Sequence, residues 1–116
     1  MLTFESRAIA QEMTEKLLND NPDIRGLYVA GGGITGAIAA LHSTGRAGSL
    51  VVVGYELMDV TRAALLDGTL TFVISHPLAR IAQETLAGMV RAVSAPNEGG
   101  NFTTILPFEI YTRENI

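Results

Sequence analysis

Apolar residues recur four apart at Ile9, Met13 and Leu17, with Ala10 beside them. That spacing predicts an amphipathic helix from about Glu5 to Asn19, which Thr3 can cap. Asn21-Pro22-Asp23 breaks it. Ile24–Ala30 predicts a strand, Gly31-Gly32-Gly33 a turn, and Thr35–Ser43 a second helix with Ile34, Ile38 and Leu41 on one face. Gly45 follows its end, as a left-handed C-terminal residue would. Leu50–Val53 is a continuous apolar run that continues toward Tyr55. A strand apolar on both faces belongs in the middle of a parallel sheet. Asp59 can cap a helix Val60–Leu66 that Gly68 ends, and Thr71–Ser75 predicts the next strand. Leu78, Ile81, Ala82, Leu86, Met89, Val90 and Val93 then trace one helical face. Pro77 suits the first helical position there. Pro96–Gly100 reads as a loop. Leu106, Phe108 and Ile110 alternate across Thr104–Ile110, where Pro107 cannot donate to a ladder, so this strand belongs at an edge.

The order is one helix, then strand and helix three times, then a strand. This alternation predicts an α/β fold, a three-layer α/β/α arrangement around a mostly parallel sheet. A helix that packs on a parallel sheet normally follows a strand, and no strand precedes the first helix. The 116 residues suit one domain. Composition narrows the chemistry. Net charge is −4, and the cations are one lysine and seven scattered arginines, so no basic stripe offers a grip on nucleic acid. There are no cysteines, and the only histidines are His42 and His76, which leaves no metal-ligand pattern. No apolar run is long enough for a membrane span. The first residues lack the basic start and apolar stretch of a secretion signal. The expectation is a soluble, cytoplasmic protein.

Gly31-Gly32-Gly33-Ile34-Thr35-Gly36 reads as G-x-G-x-x-G between a strand and a helix, with Glu56 ending the next strand. That spacing suits a dinucleotide, with Gly31, Gly33 and Gly36 admitting the pyrophosphate and Glu56 holding a ribose hydroxyl. It equally suits a flexible turn, or a turn whose free N–H groups meet another small polar ligand. Glu56 is either a solvated loop acid or an acceptor for ligand hydroxyls. His76, with Ser75, either caps the following helix or faces the crevice beyond the strand ends. A triad has weak support, because Ser75 and His76 are adjacent and no G-x-S-x-G elbow exists. His42 reads as a polar position on an exposed helix.

The succession LLNDNPDIRGLYVAGGGITGAIAAL, VVVGYELMDVTRAALLDGTLTFVISHP and PFEIYTRENI resembles the effector-binding domain of lactose-repressor-family (LacI/GalR) transcription regulators. That domain is similar to type 1 periplasmic sugar-binding proteins, and the resemblance covers nearly all of the chain. It implies a C-terminal effector-binding subdomain spanning 1–116, half of a two-lobed fold, with DNA contacted only through an N-terminal domain absent here. It implies a small polar effector such as a sugar, no cofactor and no enzymatic activity. The implied ligand-binding residues are Gly31, Gly32, Gly33, Thr35, Glu56 and His76. Glu56 stands at an aspartate position of a V-G-[YF]-D pattern, and His76 where sugar binders place a glutamine. Two other readings stand beside it: a nicotinamide-dependent oxidoreductase fragment, and a periplasmic sugar-binding transport protein.

The resemblance makes Ile24–Ala30 the second strand and Leu50–Val53 the third. In the order 2-1-3-4-5 a missing first strand would leave a gap between them. The expectation is either direct pairing of these two strands or a gap filled by another copy, through Met1–Phe4 or the C-terminal strand. Family regulators also dimerise partly through this subdomain, and resemblance makes Val60–Leu66 a contact helix. Both points favour a homo-oligomer.

Overall fold

The computed structural model describes residues 6–95 and 103–116. The expected cap at Thr3, the Met1–Phe4 stretch and the loop Pro96–Gly100 lie outside them. The described chain divides into two units, residues 1–75 with 110–116, and residues 76–109. In the first unit run α1 (Arg7–Asp20), β1 (Gly26–Tyr28), α2 (Ile34–Ser43), β2 (Val51–Tyr55), α3 (Asp59–Asp67) and β3 (Phe72–Ser75). α4 (Leu78–Ser94) lies in the second, and β4 (Glu109–Tyr111) follows in sequence. The sheet order is β1-β2-β3-β4, with β1–β2 and β2–β3 both parallel. The chain is therefore an α/β protein with a mostly parallel sheet.

β1 pairs directly with β2, Leu27 opposite Val52. There is no gap between these strands, and of the two expected outcomes direct pairing is the one found. The reason lies in the numbering. Three adjacent parallel strands in chain order match strands 3, 4 and 5 of the order 2-1-3-4-5, so β1 and β2 are natural neighbours.

One face of the sheet is sealed. Val52 and Val73 join Leu18, Ile34, Ile38, Leu41, Ala64 and Leu65 in a single core cluster, against which Leu27 packs. Gly54 and Ser75 are buried on the same face by the two-residue period of their strands. α1 packs on α2, burying Ala10, Thr14 and Leu18. Leu17, expected on the packed face, is only half-buried, one position off the line that docks. The opposite sheet face holds Tyr28, Val51, Val53, Tyr55, Phe72 and Ile74, and Tyr28 and Val51 there are exposed.

Helix ends follow their sequence signals with small shifts. Gly68 closes α3 in the left-handed conformation at φ 87°. Asp59 does not cap α3 but is its first residue, and the Met58 N–H donates to the Thr61 hydroxyl instead. Val60 packs against the core, while Leu66 is exposed. His42 is more than a polar surface position. Its Nε2 lies 3.2 Å from Thr69 Oγ1 and 3.8 Å from the Asp67 carboxylate, tying α2 to the turn before β3. The final strand is shorter than expected. Residues 103–108 carry no regular structure, and Thr104 and Leu106 line an open groove with Ile81, Glu84 and Arg91 of α4. Pro107 lacks the N–H a ladder needs, so pairing begins after it.

Tyr28 and Tyr55 meet edge to face on the open sheet face, ring centroids 5.9 Å apart, and their hydroxyls share a hydrogen bond of 2.5 Å. That bond, more than desolvation, holds the Tyr28 hydroxyl above the ordinary tyrosine range. The raised value favours the neutral form in the folded state. Its stabilising effect is complete below the ordinary tyrosine pKa and is lost as pH rises through the folded value. Alkaline spectrophotometric titration should show one late-ionising tyrosine. Tyr55→Phe should return that step to the ordinary range, and an unchanged step would show that the hydroxyl pair is not the cause.

Candidate functional site

Parallel strands deliver their carboxyl ends to one edge, so the segments after β1, β2 and β3 gather there. Gly31, Gly32 and Gly33 follow β1. Gly31 and Gly32 are exposed, and Gly33 takes the N-terminal cap position of α2 at φ 88°. That angle suits glycine alone among common residues. Ile34 opens α2 and lies over Gly54, where an added Cβ would come within 2.9 Å of Ile34 Cδ1. This contact fixes the glycine turn against the end of β2. Thr35, in the first turn of α2, is half-buried.

Glu56 follows β2 and is the non-glycine residue with positive φ among the described residues, at 66°. A side chain in the left-handed region costs roughly 1–2 kcal/mol. Three hydrogen bonds hold it there. Its N–H donates to the Ile74 carbonyl at 2.8 Å. Its carbonyl accepts from the Thr61 hydroxyl at 2.7 Å. Its carboxylate oxygen Oε2 accepts from Ser75 Oγ at 3.2 Å. Thr61 is wholly buried and Ser75 nearly so.

Within the first unit the structure thus brings together Gly31–Gly33, Ile34, Gly54, Glu56 and Ser75. His76 is exposed and belongs to the second unit. Sequence reasoning set Ser75 aside as a cap or a weak triad member and gave the strand end to His76. The signal for Ser75 was present in the two-residue period of β3. Val73 and Ser75 share the sealed face with Val52 and Gly54, and the next position reverses sides. Thr61 was missed because nothing local marks a buried threonine in an α3 start already credited to Asp59.

A family model described as "Periplasmic binding protein domain" matches residues 2–96. The D-ribose/D-allose-binding protein of Pseudomonas aeruginosa is 36% identical over 53 residues, covering 45% of this chain and 17% of that protein. Among solved structures, an ABC transporter solute-binding protein of Agrobacterium vitis with bound D-fucose superposes with a TM-score of 0.86 at 21% identity, over 99% of this chain and 39% of that one. A periplasmic solute-binding protein of Actinobacillus succinogenes with bound D-allose gives 0.79 at 18% identity, over 97% and 40%. The chain spans about two-fifths of the length of these solved relatives, and they share its fold.

Proposed function

We propose, from the premise that this chain belongs to the periplasmic binding protein domain family, that it forms one lobe of a sugar-binding protein. The observation that supports this best is the gathering of Glu56, Ser75 and the glycine turn at the carboxyl edge of three parallel strands. A sugar hydroxyl is a donor, and a fixed carboxylate is a strong acceptor for it. The glycine turn lets a hydroxyl approach its backbone closely. Ligand binds the closed arrangement of two lobes better than the open one, and closure follows from that difference.

β1 is an edge strand, so strands 1 and 2 of the order 2-1-3-4-5 would add beside it in the sheet of this same lobe.

The reading we favour is the transport-type binding protein, because the named relatives are sugar- and solute-binding proteins. The sensing domain of a lactose-repressor-type regulator is the second reading, favoured by the V-G-Y-E stretch and its spacing. The first entails export and the second a cytoplasmic location. Upstream coding sequence separates them: a signal peptide for one, a helix-turn-helix for the other.

Calorimetry tests the lobe proposal. The 116-residue chain should bind D-ribose, D-allose and D-fucose no tighter than about millimolar, roughly −4 kcal/mol. The polypeptide carrying both lobes should bind at least one of them at micromolar concentration. Micromolar binding by the 116-residue chain alone would overturn the two-lobe reading.

A further inference from the structure

We propose that Thr61 and Ser75 are positioning residues that clamp Glu56 in its left-handed backbone conformation and aim its carboxylate at the ligand edge. The inference rests on the reading of that edge as a sugar site.

The geometry assigns each residue a separate task. Thr61 Oγ1 accepts from the Met58 N–H at 2.8 Å and donates to the Glu56 carbonyl at 2.7 Å. One buried hydroxyl thereby closes the β2–α3 loop and fixes the carbonyl side of Glu56. The N–H side is fixed by Ile74 on the neighbouring strand. With both peptide groups held, φ at Glu56 is over-determined, which is the condition under which a strained residue persists. Ser75 acts on the side chain. A glutamate at φ 66° has several χ rotamers, and the hydroxyl at 3.2 Å selects those that place Oε2 beside β3.

The strain has no structural use in itself. A glycine would take the same backbone without cost, as Gly33 and Gly68 do at φ 88° and 87°. A glutamate kept there by two buried hydroxyls is therefore held for its carboxylate. An acceptor fixed before the ligand arrives loses less conformational freedom on binding than a mobile one.

Two measurements separate the clamp from the sugar reading. In the 116-residue chain, three-bond NMR couplings should report a single χ1 rotamer at Glu56. Ser75→Ala should average it, and Ser75→Thr should restore it. Glu56→Gly should melt higher than Glu56→Ala by about 2–6 °C, since both lose the carboxylate and only glycine relieves φ. In the two-lobe polypeptide, Ser75→Ala should weaken D-ribose or D-allose binding about tenfold without lowering the melting point, and Ser75→Thr should recover it. Couplings unchanged in both Ser75→Ala and Thr61→Val would overturn the clamp. Glu56→Ala melting as high as Glu56→Gly would remove the strain. Responsive couplings with unchanged sugar affinity would overturn the positioning role. A parent two-lobe polypeptide that binds neither sugar would overturn the functional reading, while the couplings still decide the clamp.

Discussion

Gly36→Ala should destabilise the chain by about 3 kcal/mol or more, although alanine is the better helix former by about 1 kcal/mol. Gly36 is buried in α2, where α1 crosses it. A Cβ at this position would collide with the Arg7 carbonyl oxygen and lie 2.8 Å from the Gln11 nitrogen. Both are backbone atoms of α1, so no side-chain rotation relieves the clash and the helices must part. Parting them uncovers Ala10, Thr14 and Leu18 and strains the Ser43–Glu15 hydrogen bond of 2.8 Å between the two helices. Gly54→Ala is the control. Its new Cβ would meet the flexible end of Ile34 at 2.9 Å, and a rotamer change there should hold the cost below about 1.5 kcal/mol. Against a total stability of roughly 5–15 kcal/mol, only the first change threatens the fold. Urea unfolding of the two variants measures the difference. Equal midpoints would mean that α1 does not dock as described.

Leu41→Ala should cost about 2–5 kcal/mol, while Leu66→Ala in the same chain should change stability by no more than about 1 kcal/mol. Leu41 is fully buried among Leu18, Ile38, Leu50, Val52 and Leu65, so truncation leaves a cavity that its neighbours fill poorly. Leu66 is 51% exposed on α3 and has little packing to lose. Thermal melts of the two variants decide this, and equal losses would mean that Leu41 is not packed as described.

Those two predictions also mark where sequence stops. The α/β alternation and most element boundaries were legible within two or three residues, because helix and strand periods are local properties of the chain. Gly68 as a helix end and β2 as the central strand were legible for the same reason. Which apolar face finds a partner is not local. Ile9, Met13 and Leu17 recur four apart in α1, yet the residues it buries are Ala10, Thr14 and Leu18. The clash that makes Gly36 indispensable involves Arg7 and Gln11 on another helix, and no window around Gly36 contains them. At the candidate site, sequence placed Glu56 and the glycine turn at the carboxyl edge of the sheet, since both follow parallel strands. Only the folded chain brought the Ser75 and Thr61 hydroxyls to Glu56. It also set the left-handed backbone there, because hydrogen bonds from β3 and α3 over-determine a conformation that glutamate would not choose by itself.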